Sequence, residues 1–573
     1  MRRTRWLLLS ILLLFVILTT CLWWLRPKQL DMAAYAPADS LLYLEANEPL
    51  EVFATIATTD AWKSFERISG APAIAPGNPW LRGFLKWTGI GSVESVVLTR
   101  AQVAAVVTDL GAVEEGDALR IKAEAAILIE THTSERRIRA PVEHAVKALA
   151  ENTYGRPVSR RFLLNGVEVI EWSSPEGSRQ IVATILGSLV VLGNSEHAVQ
   201  TCIEVSLGRR PSLKDDPELG RVRLQFSGKN NLTLGYVPAG NSARLLAVGV
   251  PLLMGRAPAD SEFQRLIAGG AAKIFGSLGW SSRAYLTGIE DRYLINLQPA
   301  IAARLKPEFT AANVDSQMHR LLPGEVYSVT SYRFANPAAT WQSLKTAVSS
   351  QVDTLSTVVF SSLLKSSLLS YGVSDPESFL GAVDGELLTL RLDESGERSF
   401  LIGQVRDRAV LRELITRKMG LSQRNNPEGQ METFEDPQGE FAASFIDDFI
   451  VIGPAADVRY YAGIRHDNRS LSADELKRLT FFVPPSSSAN IVTYTDDGNR
   501  VRSFINALIA ATGARPATPQ DVDKAVAGLP FSVTETTLGD HGIERTTRSP
   551  LGQASSLLPL AIPQQVRTGQ ESK

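Results

Sequence analysis

The chain has 573 residues, of which 44% are hydrophobic and 21% are charged, and its formal net charge is −2. This composition is typical of globular protein, and the length exceeds what one hydrophobic core usually accommodates, so we expect several domains. The charge is nearly neutral and no basic stripe carries interleaved aromatic residues, which argues against a nucleic-acid partner.

The first predicted element is an apolar segment, Trp6–Leu25, which contains no charged residue. Twenty residues of α-helix span about 30 Å, the thickness of the hydrocarbon core of a bilayer. Basic residues in the tip 1–5 outnumber those that follow the segment, which predicts a cytoplasmic N-terminus. We therefore expect a single-pass transmembrane anchor that contacts the lipid bilayer, with the bulk of the chain outside the cytoplasm. The alternative is a cleaved secretory signal, which the length of the apolar run disfavours.

The rest of the chain contains an internal repeat. The segments Ala183–Gly193 and Ala443–Gly453 match along their length, and Tyr236–Asn241 and Tyr494–Asn499 follow at nearly the same offset. Three further matches occur in the same order, namely Pro37 with Pro323, Gly89 with Gly372, and Ser212-Leu213 with Ser470-Leu471. Self-similarity of this kind predicts two homologous tandem units. After a linker, 26–34, we place unit 1 at 35–305, unit 2 at 315–548, and a disordered tail at 550–573.

Each unit is predicted to belong to the α+β class. Strand-like segments are grouped with helical ones and do not alternate strictly with them, which is typical of an antiparallel sheet with packed helices. Asn241 and Asn499 lie where the chain enters a helical pattern, so we expect both to cap a helix N-terminus.

At Pro37–Tyr43, which follows the predicted anchor, the chain resembles a family of bacterial membrane-anchored proteins catalogued as a domain of unknown function. Members of that family open their ectodomain with a Pro-Ala-Asp-Thr-like turn and a strand. Ser40 takes the Thr position here, and the second unit has Gly324-Glu325 for Ala-Asp. The resemblance implies a bacterial inner (plasma) membrane protein with its bulk in the periplasm, and it implies no known activity and no functional residues.

Common catalytic and cofactor motifs do not occur in the sequence, among them the Walker phosphate loop, HExxH, GxSxG, CxxC and GxGxxG. We predict no catalytic, cofactor-binding or metal-binding residues and no cofactor. The histidines are scattered without a pair at ligand spacing: His132, His144, His197, His319, His466 and His541. Cys202 follows an apolar strand and is predicted to be a buried, inert thiol. With Cys21 inside the apolar segment, we expect no intrachain disulfide.

Two acid pairs, Asp447-Asp448 and Asp496-Asp497, could hold a divalent ion or share acid and base roles. The repeat favours a structural interpretation, because the matching residues of unit 1 are Gly187-Ser188 and Pro238-Ala239. Gly187-Ser188 lies between two apolar runs, which is typical of a two-residue hairpin turn, and Asp tolerates the left-handed backbone of such turns. We predict equivalent hairpin tips at Gly187-Ser188 and Asp447-Asp448, where Asn-Gly should also be accepted, and a turn at Asp496-Asp497.

The sequence leaves three functions open and favours a non-enzymatic function over an enzymatic one. The leading hypothesis is a membrane-anchored, non-enzymatic binding or scaffold module of the bacterial envelope, with an unknown envelope protein or ligand as its partner. The second is a carrier or sensor of an apolar or small ligand, and the third is a membrane-bound hydrolase with an unfamiliar site. A closed apolar pocket would favour the second hypothesis, and a pocket with convergent ionisable groups would favour the third.

Overall fold

The computed structural model describes most of the chain. The described ranges are 29–69, 101–115, 118–227, 231–253, 261–312, 320–352, 354–424, 431–466, 471–482, 488–512, 518–553 and residue 555. The predicted anchor, Trp6–Leu25, lies outside these ranges, as do the tip 1–5 and residues 26–28 of the predicted linker.

Within the described ranges, no helix is both long enough and apolar enough to cross a membrane. The longest of these helices, Glu135–Tyr154, has 20 residues and includes charged residues along its length, whereas a span needs about that many apolar ones. This finding corrects two predictions. Among the described residues, the fold class is a large antiparallel sheet with packed helices and no transmembrane helix. The predicted single-pass inner-membrane location is therefore not proposed again.

The first half of the described chain contributes ten strands: β1 (Leu42–Ala46), β2 (Gln102–Glu115), β3 (Ala118–Glu130), β4 (Val158–Leu164), β5 (Val167–Ser173), β6 (Gln180–Leu186), β7 (Leu189–Gly193), β8 (Asn231–Val237), β9 (Phe275–Tyr285) and β10 (Gly288–Leu297). Its helices are α1 (Pro49–Thr58), α2 (Asp60–Ser69), α3 (Glu135–Tyr154), α4 (Glu196–Ser206), α5 (Pro217–Gln225), α6 (Ala239–Leu253), α7 (Ser261–Ile274) and α8 (Pro299–Leu305). Short 3-10 turns cover Met32–Tyr35 and Leu213–Asp215.

The second half contributes ten more described strands: β11 (Ser328–Arg333), β12 (Val383–Arg391), β13 (Ser399–Val405), β14 (Ser422–Gln423), β15 (Glu432–Glu435), β16 (Phe441–Ile446), β17 (Phe449–Pro454), β18 (Ile491–Thr495), β19 (Ser532–Leu538) and β20 (Gly542–Ser549). Its helices are α9 (Pro337–Ser349), α10 (Thr354–Leu369), α11 (Pro376–Ala382), α12 (Arg408–Glu413), α13 (Ala455–His466), α14 (Ala473–Leu479), α15 (Gly498–Thr512) and α16 (Pro519–Val526). A π-helical turn, Leu414–Lys418, continues α12.

The two halves have the same strand order. In the first half the antiparallel order is β4-β5-β6-β7-β3-β2-β1-β8-β9-β10. In the second half it is β14-β15-β16-β17-β13-β12-β11-β18-β19-β20. Each strand of the first order therefore has its counterpart ten numbers higher, which is the arrangement that an internal repeat requires.

Each half packs helices on its sheet to form a core. In the first half, Val106 of β2 and Leu128 of β3 are buried against Val199 and Ile203 of α4. Side chains of a strand point alternately to its two faces, so Ala104 with Val106 and Ala126 with Leu128 enter this core from one face of the sheet. The second half is built in the same way, with α13 and α14 packed on the sheet in one cluster.

The last strands of the two halves pair with each other. β10 and β20 are antiparallel from Ile289 opposite Ser549 to Asn296 opposite Gly542, and this pairing contributes to a 20-stranded sheet. Because β10 and β20 take the same place in the two strand orders, both halves offer the same edge to the junction.

A row of alternating charges crosses the junction on neighbouring strands, and we call it the junction row: Arg283, Glu290, Arg548 and Glu535. Glu290, which is 2% exposed, accepts hydrogen bonds from Arg283 Nε at 2.7 Å and from Arg548 Nε at 3.0 Å. Arg548 also forms an ion pair with Glu535. A buried carboxylate is costly without a partner, and these two guanidinium groups supply partners from both halves.

Helices also cross between the halves. Trp62 of α2 and Phe504 of α15 belong to one buried cluster, with ring centroids 6.4 Å apart. Leu551 is buried in the same cluster, and the backbone N–H of Gln553 donates to Asp291 Oδ2 at 2.7 Å. The predicted disordered tail, 550–573, therefore begins too early, because 550–553 pack across the junction. Residues 556–573 lie outside the described ranges.

Candidate functional site

The first acid pair forms a hairpin tip, as predicted. Asp447 and Asp448 join β16 to β17, with Ile446 opposite Phe449, and Asp447 has φ +52°. Gly187 and Ser188 join β6 to β7 in the same way, and Gly187 has φ +66°. The first turn residue is thus left-handed in both halves, which explains a residue that tolerates this conformation.

The two hairpin tips also make the same backbone contact. The N–H of Val405 donates to the carbonyl of Asp448 at 2.8 Å, and the N–H of Thr131 donates to the carbonyl of Ser188 at 3.0 Å. The side chain of Asp447 is 74% exposed and its nearest ion-pair partner, Arg465, is 3.6 Å away. The pair therefore has a structural role, which depends on its backbone and not on its carboxylates.

The second acid pair lies between β18 and α15, at the predicted change of direction. Asp496 Oδ2 accepts from Arg478 Nη2 at 2.9 Å, and Asp497 forms an ion pair with Arg500. Burial raises the pKa of Asp497, while the nearby Arg500 opposes that rise. Both carboxylates therefore form ion pairs with arginines, and these ion pairs were not predicted from the sequence.

Asn241 and Asn499 do not cap helices, which corrects a prediction. Both lie inside the first turn of their helix, and Asn241 Nδ2 donates to the carbonyls of Asp39 at 3.0 Å and Ser40 at 2.8 Å. At the start of α15, the carboxylate of Asp496, two residues before the helix, accepts from the N–H of Gly498 at 2.8 Å. In the first half, Asn241 instead ties its helix to the segment that precedes β1.

Cys202 and the histidines show no sign of a reactive or metal site among the described residues. Cys202 is buried in the first-half core, and burial raises the pKa of its thiol to about 12. The prediction of a buried thiol is confirmed. In the described ranges, which exclude His319, no three His, Cys, Asp or Glu side chains lie close enough together to hold a metal ion.

The structure contains a cleft that the sequence analysis did not anticipate. It has a volume of about 260 Å³ and opens in the second half between the segment 324–327, which leads into β11, and helix α14. Its apolar walls are formed by Val326, Tyr327, Leu392, Leu471, Leu479 and Phe531. We call this space the second-half cleft.

Backbone hydrogen bonds hold the walls of the second-half cleft in place. The N–H of Tyr327 donates to the carbonyl of Arg391 at 2.9 Å, and the N–H of Asp496 donates to the carbonyl of Tyr327 at 2.8 Å. The segment 324–327 is thus attached to β12 on one side and to the β18–α15 connection on the other. A cleft with its walls tied in this way is preformed, and binding in it requires little rearrangement.

Four charged side chains line the second-half cleft, namely Glu325, Glu475, Arg478 and Asp496. Arg478 pairs with Asp496, donates from Nε to the carbonyl of Leu529 at 2.7 Å, and lies over the ring of Phe531 at 5.0 Å from its centroid. Glu475 Oε2 accepts from the N–H of Ser472 at 2.8 Å in a capping box. The arrangement therefore fixes one ion pair and one further carboxylate in the wall.

The carboxylates near the second-half cleft affect the pKa of Tyr327. Burial raises the pKa of its hydroxyl, and the carboxylates of Glu394 and Asp497 raise it further, whereas Arg391 lowers it. Nearby carboxylates disfavour the tyrosinate because it would add another negative charge.

In the first half, the place that corresponds to the second-half cleft is closed. Pro37 forms an isolated antiparallel bridge with Ser212, and the N–H of Leu213 donates to the carbonyl of Ala36 at 2.8 Å. Leu213 is completely buried, whereas its counterpart in the repeat, Leu471, is only half-buried and lines the cleft. Among the described residues, Leu213 thus fills this position in the first unit, whereas Leu471 lines a cleft in the second.

One sequence signal did point to this place. Pro323 is followed by Gly324-Glu325 where the first unit has Ala-Asp after Pro37, and both altered residues line the second-half cleft. A departure of one copy from the other at an otherwise matched position could have been used to find the site.

Comparisons with protein-family models, with curated proteins and with solved structures gave no match to this chain. The resemblance at Pro37–Tyr43 stays a prediction.

Proposed function

We propose that this chain is a non-enzymatic binding protein made of two copies of one unit, in which the second copy binds a small ligand in the second-half cleft. The observation that supports it is the contrast between the copies, because Leu213 is completely buried in the first unit, whereas its counterpart Leu471 lines an open, preformed cleft in the second. A duplicated unit can keep its fold in both copies while one of them acquires a site.

Ionisable groups in a pocket would favour a hydrolase under the criterion given above. Here Arg478 and Asp496 bind each other, and Glu475 binds the N-terminus of its own helix. A general acid or base must be able to reach a substrate proton, and a nucleophile needs a base beside it. Since three of the four charged groups in the lining are engaged in the fold and Glu325 has no base or nucleophile paired with it among the lining residues, binding is the function that they support better.

Filling the cleft tests this proposal. A Cβ added to Gly324 meets no atom within 4 Å, so Gly324→Phe should place a ring in the cleft without disturbing the backbone. Gly463→Phe, on the exposed face of α13 and equally free of contacts, is the matched control. The probes are benzylamine, benzyl alcohol and benzoate, measured with the full chain by isothermal titration calorimetry.

We expect at least one probe to bind the wild-type chain and the Gly463→Phe variant alike, and to lose about tenfold or more in affinity with Gly324→Phe, since an occupied cleft excludes it. If none of the probes binds, or if Gly324→Phe binds them as the wild type does, the proposed function is wrong.

A further inference from the structure

We infer that the second-half cleft takes a cationic group, an amine or a guanidine, carried by a ligand with an apolar portion. The inference rests on the proposed function and goes beyond it, because it assigns the chemical class of the ligand. It follows from the charge, the aromatic surfaces and the size of the cleft.

The charged side chains that line the cleft determine the sign of its electrostatic potential. Arg478 and Asp496 neutralise each other through the bond of 2.9 Å between Nη2 and Oδ2. Glu325 and Glu475 are then left to set the potential in the cleft. The partners of Glu475 in the capping box are the backbone N–H and the hydroxyl of Ser472, which are neutral donors. They hold the carboxylate in position and leave its negative charge in place, which favours a cation nearby.

The aromatic surfaces agree with this sign. Phe531 already has a guanidinium, that of Arg478, over its ring, so this wall accommodates a planar cation. Tyr327 offers a second ring to the cleft. The faces of aromatic rings carry partial negative charge and attract cations, and they do so more strongly where water is displaced.

The apolar residues and the volume limit the rest of the ligand. Leu392, Leu471 and Leu479 would contact a hydrocarbon portion next to the cationic group. The volume of about 260 Å³ is slightly below the usual range for drug-sized ligands, which begins at about 300 Å³. The cleft therefore fits a small amine, or a basic side chain at the end of a larger ligand.

The three probes differ in charge while sharing the benzyl or phenyl ring. We expect benzylamine to bind about tenfold more tightly than benzyl alcohol, and benzoate to bind more weakly than both, because an exposed carboxylate, Glu325, and a half-buried one, Glu475, each contribute a modest attraction. The preference should decrease as salt is added, since salt screens exposed charges.

The carboxylates are tested by Glu325→Gln combined with Glu475→Gln. Gln can take the place of Glu in a capping box, so α14 keeps its N-terminal bonds. Affinity for benzylamine should fall about tenfold, to that of benzyl alcohol, while benzyl alcohol itself binds as before. Asp474→Asn, on the exposed side of the same helix, is the control and should leave both affinities unchanged.

The outcomes separate the two proposals. If benzyl alcohol or benzoate binds at least as tightly as benzylamine, and Gly324→Phe abolishes that binding, the cationic class is refuted and the proposed function stands. The cationic class is likewise refuted if the double Gln variant keeps the preference for benzylamine. If no probe distinguishes the wild type from Gly324→Phe, both proposals are refuted.

Discussion

Asp291 lies within β10 and has no exposed surface. It accepts hydrogen bonds from Trp280 Nε1 at 3.1 Å, from the hydroxyl of Ser282, and from the N–H of Gln553 at 2.7 Å. Burial raises the pKa of Asp291 above its ordinary value, although these hydrogen bonds and the charge of Arg500 act in the opposite direction. The polar groups around it thus offset only part of the cost of removing the carboxylate from water.

A raised pKa means that the folded chain binds this proton more tightly than the unfolded chain does. The stabilisation is complete below the pKa of the unfolded chain, near 4, and is lost as pH rises through the pKa of the folded state. From about pH 4 upward, we expect the free energy of unfolding of the wild type to fall relative to that of Asp291→Asn. Urea unfolding measured at intervals from pH 4 to pH 7 provides the comparison.

The exposed Asp474→Asn variant serves as the control for the pH series and should follow the wild type. Burial also raises the pKa of Asp497, which is present in all of these variants. Part of the pH dependence of the free energy of unfolding should therefore remain in each of them. Parallel profiles for the wild type and Asp291→Asn would contradict the assignment of this dependence to Asp291.

At the scale of a single element, the hairpin of β16 and β17 contains one strained residue. Asp447 has φ +52° where the first half has Gly187, and its neighbour Asp448 does not have a positive φ. Glycine adopts this conformation without a steric penalty, whereas most other residues pay about 1–2 kcal/mol, and Asp pays part of this because its short polar side chain tolerates the conformation. The Asn-Gly replacement predicted from the sequence would place glycine at the second turn position, Asp448. In the structure, the positive φ that favours glycine is at the first position, Asp447.

We therefore expect Asp447→Gly to raise the free energy of unfolding by up to about 1 kcal/mol, because relief of the strain exceeds the added entropy of the unfolded chain. Thermal unfolding of the two proteins measures the change. The reciprocal variant, Gly187→Ala, should lower stability by about 1 kcal/mol from strain alone, since a Cβ at Gly187 meets no atom within 4 Å. A decrease in stability with Asp447→Gly, or its dependence on a chelator, would show that the carboxylate has a role that the turn does not explain.

Elements differ in how well their sequence predicts them. The hairpin tips were predictable because Ile185 and Phe445 belong to apolar runs that match between the copies, and in each copy the turn lies between two such runs. Asp496-Asp497 was predictable as a change of direction, but the ion pair of Asp496 with Arg478 was not, because Arg478 comes from another helix. Asn499 was wrongly predicted as a cap, because a capping residue and a residue in the first turn lie next to each other in sequence.

At the scale of the whole molecule, the junction was not predictable from the sequence. β10 and β20 are separated by about 250 residues, and nothing in their local patterns indicates which edge will pair with which. The second-half cleft was missed for the same reason, because Glu325 and Glu475 meet only after the unit has folded. The internal repeat gave the common plan of the halves, whereas their contact depends on packing that no single segment encodes.

The junction row offers a test of how strongly the halves depend on each other. Arg548→Met leaves Glu290, which is 2% exposed, with Arg283 as its only remaining arginine in the row. We expect a loss of about 3 kcal/mol, because a buried carboxylate then lacks part of its compensation. Adding Glu290→Gln should recover much of that loss, as measured by urea unfolding.

Arg221→Met, which removes a surface arginine paired with Glu218, is the control and should change stability by less than about 1 kcal/mol. If Arg548→Met is as mild as this surface variant, the row is incidental to the junction, and the pairing of β10 with β20 must rely on its backbone bonds and on the helices that cross it.

β10 and β20 occupy the same position in the two strand orders and pair with each other. Two separate copies of one unit would pair through the same strands in a symmetric dimer. Two free copies would associate according to their concentration, and dilution would separate them. Joined in one chain, they face each other at a fixed effective concentration, whatever the amount of protein. A symmetric dimer would also carry any site twice, whereas a covalently joined pair can hold different residues in its two copies. If the second-half cleft binds as proposed, saturation should need one ligand per chain, along a simple hyperbola with a Hill coefficient of about 1.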